Sequence, residues 1–454
     1  MTKSNEQTSD PAYFATLAKD LLGHALKGGA EAAEVVIVRS RSLDVTAREG
    51  VLEDVESAES QDLGLRVLIG KHQAGISSSD LSAASLEKLA ERACAMAKAA
   101  PEDPYCGLAD PDQLAKDHPD LDLYDPAIPD IDSLTEAALA TEAAALRVKN
   151  VSKSGGASAG WSASAVTICA SNGFEAARQK TSHGRSVMVI AEKDGTMERD
   201  WAQSTAHWAE DMRSAEEVGQ EAGTRTAARL GAVKLPSASM AVMFEPRTAR
   251  SLLSMFLGAI TGPSVARGIS FLKDKMGEPV FAPGFDIIED PFRPRGLGSS
   301  AVDGEGLARH KRHLVKDGHL TTWLHSLSSA RQMGEAPTGH AALGLGGPPG
   351  VGTTNVYIVP GAKSPDELMA DIGNGLIVTD AFGPSFNAGT GDWSVGIAGF
   401  EIKNGMRAGA VNEMTVAGNL LDIYGRLIAA NDLEFLNSAN TPSLLIEGLS
   451  VAGQ

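Results

Sequence analysis

Four histidines, His310, His313, His319 and His325, fall within sixteen residues, and imidazoles at that density are the side chains of this chain best suited to hold a transition metal. His310 and His313 have an i, i+3 spacing that brings two rings onto one face of a helix. The dipeptide Asp317-Gly318 between them and the next pair signals a hairpin instead. On strands, side chains alternate, so His310 and His313 would point to opposite faces. Asp317, in the turn, is the one acidic neighbour that could add a ligand. The pattern favours packed or solvated histidines over a metal centre.

Other candidate chemistry is sparse. A reactive cysteine needs a nearby cation or histidine to hold its thiolate, and Cys94, Cys106 and Cys169 each lack a histidine within ten residues. Three scattered cysteines also suit packing in a reducing compartment better than a disulfide framework. Gly344-Leu-Gly-Gly-Pro-Pro-Gly350 is not followed by Gly-Lys-Ser/Thr, and its prolines remove the amides that a phosphate cradle uses. Gly383-Pro-Ser385-Phe lacks the second glycine of a nucleophile elbow. The polar run from Asn387 to Ser394 remains, with Gly389, Gly391 and Asp392 inside it. It reads either as a loop facing an extended substrate or as a turn held by the Asn387 and Asp392 side chains.

The elements that would carry these residues are of both kinds. Phe14, Leu17, Leu21 and Leu22 have helical spacing between Pro11 and Lys27, and Leu86, Leu89, Ala90, Ala93 and Met96 repeat it over 85–100. Further helices are expected over 133–148 and 215–230. Short β-branched runs over 33–79 predict antiparallel strands, and Asn172-Gly173 and Asp194-Gly195 predict type I′ hairpins within a meander over 151–207. Pro101 to Asp132 holds six prolines and reads as an extended connection. A strand over 240–244 and a helix opened by Pro246 follow, then mostly strands. The fold class is α+β, with an N-terminal α/β domain over 1–232, built on an antiparallel sheet, and a β-rich C-terminal domain over 233–454.

The 454 residues carry 40 Lys and Arg against 58 Asp and Glu, a formal charge of −18. That balance repels phosphate backbones and anionic lipid, so neither nucleic acid nor membrane is an expected partner. No apolar run approaches the ~20 residues that a membrane span needs, and residues 1–10 are polar, so a cytoplasmic protein is expected.

Glycine density is highest from Gly375 to Asn419: Gly-Leu-Ile-Val-Thr-Asp-Ala-Phe-Gly383, Asn387-Ala-Gly-Thr-Gly-Asp-Trp-Ser394, Gly399-Phe-Glu-Ile-Lys-Asn-Gly405 and Asn412-Glu-Met-Thr-Val-Ala-Gly-Asn419. These elements, in this order, resemble the C-terminal domain of the TldD/PmbA family of metallopeptidases, in its PmbA (TldE) branch. Ala33 to Val38, Gly64 to Gly70, Thr338-Gly339-His340, Thr354-Asn355-Val356 and Asn431-Asp432-Leu433-Glu434 extend the resemblance over most of the chain.

The resemblance implies a specific site and its loss. The catalytic branch carries His-Glu-x-x-x-His after a leucine pair on a helix early in the second domain, and a cysteine near the C-terminus completes its metal site. Anchored on Leu252-Leu253 and Gly258, the matching stretch here places Ser254 at the first histidine, Met255 at the glutamate and Ala259 at the second histidine. No cysteine follows Cys169. A catalytic zinc needs about three imidazole, carboxylate or thiolate ligands, so the expectation is no metal or other cofactor in this chain and zinc or a similar metal in a partner.

The implied role is a non-catalytic subunit of a heteromeric peptidase, paired with a TldD-type catalytic subunit and acting on unfolded peptides in proteolysis or peptide maturation. Glycines 389, 391, 396 and 399 would leave room for an extended chain at a strand edge. The alternatives are a homodimeric peptide-binding or modulator protein, and an independent hydrolase whose site lies among His310 to His340.

Overall fold

The computed structural model describes residues 11–116 and 118–453. In the first half, helix α1 (Pro11–Lys27) leads into strands β1 (Ala32–Arg48), β2 (Val51–Ile69) and β3 (His72–Ser78), and helix α2 (Ala83–Ala99) follows. An extended connection leads to α3 (Ile131–Leu146), then β4 (Val151–Ala170), β5 (Glu175–Lys193), β6 (Thr196–Ala206) and α4 (Ala215–Ala228). The six strands form one antiparallel sheet in the order β3-β2-β1-β4-β5-β6. The expected early strands and the expected meander are thus parts of one sheet.

All four helices serve that sheet. Phe14 and Leu21 of α1 and Leu86 and Ala93 of α2 pack with Val35 and Ile37, while Leu134 and Ala138 of α3 pack with Val45. Val35, Ile37 and Val45 lie an even number of positions apart, so the pleat sends them to the same face. Val36 points the other way, into a cluster with Ile168 and Val302 that joins the sheet to the second half.

Turn chemistry follows the dipeptides where nothing competes. Asp194 and Gly195 have φ of 51° and 80°, the pair of positive values that a type I′ turn requires. At Asn172-Gly173 only Gly173 has positive φ, 93°, and the connection is longer than the expected two-residue loop. The reason is the Asn172 side chain, which donates to the Ala109 carbonyl at 2.9 Å and accepts from Phe174 N–H at 3.1 Å.

The second half opens with β7 (Ala238–Phe244) and helix α5 (Pro246–Ala259), with Pro246 in the first turn as expected. Helix α6 (Gly262–Ala266) follows it. A smaller sheet then combines β8 (Ile287–Glu289), β9 (Arg312–Lys316), β10 (His319–Leu320), β13 (Val356–Ile358) and β18 (Ala439–Asn440). Helix α7 (Leu327–Met333), the β11 (Ala341–Ala342) and β12 (Gly350–Val351) pair, and α8 (Pro365–Ile372) lie among its connections. The glycine-rich segment forms β14 (Gly375–Phe386), β15 (Asp392–Lys403) and β16 (Met406–Asn419), followed by α9 (Leu420–Tyr424), β17 (Ile428–Ala429) and β19 (Leu444–Ala452).

The larger sheet has the order β16-β15-β14-β7-β19-β17, and β16 also pairs with β19 through Thr415–Ala452 and Ala417–Ser450. Five strands therefore close on themselves, which removes the open edges of a flat sheet. Two of the glycines expected to admit an incoming chain, Gly396 and Gly399, lie against the neighbouring strand β14. A Cβ on Gly399 would lie 1.8 Å from the Ile377 carbonyl oxygen, and one on Gly396 would lie 2.5 Å from the Phe382 ring. Gly399 sits at irregularities in both of its strand pairings, where strands bend and approach closely. Gly399→Ala is expected to destabilise the fold by ~2 kcal/mol or more through overpacking. Thermal denaturation of the variant checks this, and an unchanged midpoint would show that the barrel relaxes around the methyl.

Candidate functional site

Helix α5 sorts its residues sharply. Leu252, Leu253 and Phe256 are buried in the core of the second half, and Met255 and Leu257 pack partly buried against it. The Tyr424 hydroxyl donates to the Leu252 carbonyl at 2.9 Å and pins the helix from that side. The opposite face presents Arg247, Arg250, Ser251 and Ser254 to a cleft.

It is a lobe that adjoins, through Thr205, Arg247, Arg250 and Asn437, a space of about 560 Å³ running between β6 and α4 of the first half and α5 with two loops of the second. Arginines dominate its floor, and most of them are paired. Asp200 on β6 is 3% exposed. Arg247 holds it through two hydrogen bonds of 2.8 and 3.2 Å, and Arg229 and Arg225 of α4 approach it at 3.5 and 3.7 Å. Burial pushes the Asp200 carboxyl up, but Arg247, the Trp201 N–H and Arg225 together hold it below its ordinary value. Arg229 continues to Asp380 on β14 at 3.0 Å, Arg225 pairs with Glu245 at 2.7 Å, and Arg247 also donates to the Thr379 carbonyl.

Two of the sequence segments that carry the resemblance build the cleft walls. Asn355 accepts from Gly298 N–H and donates to the Asp290 carbonyl and the Ser299 hydroxyl, fixing the 290–299 loop that carries Arg293. Asp432 accepts from the Ser443 N–H and hydroxyl and so sets the loop bearing Phe435, over whose ring Arg293 lies at 3.4 Å. Nearby, His340 meets Glu289 at 2.6 Å, both buried, and Glu289 accepts twice from Thr354. Sequence reasoning picked out His340 and Thr354 without seeing Glu289, whose partner lies 51 positions away.

The positions that match the catalytic branch's metal site do not fit a metal. Ser254 reaches the cleft as a hydroxyl beside two guanidinium groups, Met255 is turned partly into the core, and Ala259 is buried. That donor set offers no imidazole, carboxylate or thiolate, and its neighbours are cations. Among the described residues no group of three or more His, Cys, Asp or Glu is placed to hold a metal ion. His313 on β9 faces Asp286 at 3.7 Å and His319 on β10 bonds the Asp317 carbonyl at 2.8 Å, on either side of a hairpin turned by Asp317-Gly318. His310 is exposed ahead of β9.

His325 is fully buried between Ser329 and Glu335, each 3.1 Å from one ring nitrogen. The order Ser–His–Glu imitates a hydrolase triad. Ser329 is itself buried and bonded to Ser326 in the cap of α7, and Gly262 packs against the His325 ring, so no substrate carbonyl can reach the hydroxyl.

Asn387, Gly389 and Gly391 lie at the tip of the β14–β15 hairpin and Asp392 and Ser394 at the start of its second strand, β15, away from the cleft. Asn387 accepts from Gly389 N–H within the turn, and Asp392 accepts from the Thr390 hydroxyl and from Asn419 at the end of β16. The three cysteines are free and buried, and burial pushes the Cys106 and Cys169 thiols up, away from the thiolate.

Comparison with known proteins extends this picture. Family profiles described as PmbA/TldA metallopeptidase domain 1, central domain and C-terminal domain match residues 33–97, 124–230 and 237–453. The Escherichia coli O157:H7 protein named Metalloprotease PmbA is 34% identical over 94% of this chain and 93% of its own length. The chain belongs to the PmbA/TldD metallopeptidase family. A Haemophilus influenzae relative, Metalloprotease PmbA homolog, is 33% identical over 94% of both chains. A crystallised Bacteroides thetaiotaomicron protein, described as a proposed modulator of DNA gyrase, superposes with a TM-score of 0.90 at 27% identity, covering 98% of this chain and all of that one. The crystal structure of TldE from Thermococcus kodakarensis shares the fold at a TM-score of 0.85 and 20% identity. No described helix is long and apolar enough to cross a membrane.

Two measurements follow from the charge arrangement. Asp200→Asn leaves the surrounding guanidinium groups without their buried anion and is expected to cost ~3 kcal/mol of stability. Urea unfolding checks it, and a loss well under ~1 kcal/mol would mean that the arginines find other partners. Glu305, 5% exposed, accepts from the Leu327 N–H at 2.8 Å, and burial raises its pKa to about 7. Its folded value lies above its unfolded one, so the unfolded chain loses its proton first. Stability from this group is therefore lost as pH rises from about 4.5 to about 7, by on the order of 2–3 kcal/mol. Glu305→Gln is expected to flatten that fall in a pH series of melting curves, whereas an unaltered slope would assign it to other groups.

Proposed function

We propose that this chain is a PmbA/TldE-type subunit that holds extended peptides and leaves metal chemistry to a TldD-type catalytic partner. The observation that carries the reading is the face of α5. Where the catalytic branch carries His-Glu-x-x-x-His, this helix sends Ser254 and two arginines to the cleft and turns Met255 and Ala259 inward. A chain with these side chains has no base and no ligand set at that place, yet it keeps a large cleft between its halves.

The cleft suits an extended chain. Trp201, Phe435 and Leu436 line it and are exposed, so it offers apolar area beside polar groups. β6 is an outer strand of its sheet, and its residues 201–206 line the cleft. An outer strand can take an added chain by main-chain hydrogen bonds with little sequence preference. In the assembly, the partner supplies zinc or a similar metal and the general base, and this chain supplies orientation, an effect that can be worth several kcal/mol of barrier.

The reading predicts a division of labour. The isolated chain is expected to leave unfolded peptides intact, while mixing it with a relative bearing His-Glu-x-x-x-His from the same cell yields chelator-sensitive cleavage. Mass spectrometry of peptide digests, with sedimentation of the mixture to record the complex, checks both halves. Chelator-sensitive cleavage by the isolated chain, surviving removal of contaminants, would overturn it in favour of an independent enzyme.

A further inference from the structure

Of the arginines that line the cleft, Arg213, Arg225, Arg247 and Arg295 each have carboxylate partners. Arg250 has none. It lies one turn after Arg247 on α5, half-buried, with no hydrogen-bond or ion-pair partner among the described residues. Burial and the neighbouring Arg247 both push its pKa down, the response of a cation that lacks a counter-charge.

Arg250 lines a lobe of the cleft that holds Arg247, Ser251, Ser254, Thr205 and Asn437 and no acidic residue. The Ser254 and Thr205 side chains are exposed, and neither hydroxyl has a partner among the described residues. In a chain of net charge −18 this is a concentration of unused donors around one uncompensated guanidinium.

The strand β6 leads into this lobe. Trp201 spends both backbone groups away from β5: its N–H donates to the Asp200 carboxylate at 2.8 Å, and its carbonyl accepts from Arg247 at 3.2 Å. Because strands alternate with period two, the backbone groups of Gln203 and Thr205 face the same open edge. Thr205 lines the Arg250 lobe. An extended chain laid along β6 therefore reaches Arg250 at one end.

We infer that Arg250, with the Ser254 and Thr205 hydroxyls, binds the C-terminal carboxylate of a peptide lying along β6. A guanidinium presents parallel N–H donors that match the two oxygens of a carboxylate. Glu245, Asp432 and Glu434 border the adjoining part of the cleft, and they disfavour a doubly charged phosphate more than a singly charged carboxylate. The inference rests on the peptide-holding role proposed above and gives that role a polarity: the chain end is captured here and the upstream residues run along the edge strand.

The test uses the full chain and a fluorescein-labelled, unstructured ten-residue peptide in two forms, C-terminal acid and C-terminal amide, each with one internal glutamate. Anisotropy titrations are expected to show the acid binding about tenfold tighter or better. Arg250→Gln should abolish that preference, and Arg250→Lys should restore part of it, with unchanged melting curves showing that the variants fold. Inorganic phosphate at millimolar concentration should compete poorly. Equal binding of acid and amide, a preference that survives Arg250→Gln, or strong competition by phosphate would overturn the carboxylate anchor while leaving peptide binding intact. No binding of either form would overturn the anchor together with the peptide-holding role.

Discussion

A buried carboxylate organises this molecule. Asp200 sits on the outer strand of the first sheet at 3% exposure, where an unpaired anion would be untenable. Its charge is met by Arg225 and Arg229 from α4 and by Arg247 from α5. Those arginines reach onward to Glu245, Asp380 and the Thr379 carbonyl. One anion thus fixes the approach of α4 and α5 and with it the junction of the two halves. The walls of the cleft are set by that junction, and Arg225, Arg247 and Glu245 of the same network line it.

Against that frame of paired charges, the chemistry of α5 becomes legible. An amphipathic helix has one face for the core and one for whatever lies outside. Leu252, Leu253 and Phe256 occupy the first, clamped by Tyr424. The outward face of the same helix is free to vary in chemistry without cost to the core, and here it carries guanidinium and hydroxyl groups.

The glycine-rich segment makes a related point about what a local pattern can say. Its glycines do mark bends and close approach, but the approaching backbone belongs to this chain. Gly399 meets Ile377 because β15 pairs with its neighbour β14 at an irregularity in their register. The outer strand that lines the cleft is β6, which holds no glycine.

By itself the sequence determined the features whose causes lie within a few residues: helices α1 and α2 from apolar periodicity, Pro246 at a helix start, and positive-φ turns at Asp194-Gly195 and Asp317-Gly318. It also shows that Ser254, Met255 and Ala259 offer no imidazole, carboxylate or thiolate, because that is a matter of residue type. Tertiary structure alone decided barrel closure, the single sheet of the first half, the isolation of His310, His313, His319 and His325 from one another, and the use of Asn172 as an anchor in place of a tight turn. It also decided which arginines are spent. Arg229 and Arg250 look alike in sequence, yet one is held by Asp380, 151 positions away, and the other faces the cleft without a counter-charge. Charge pairing depends on distance in space, and no periodicity along the chain encodes it.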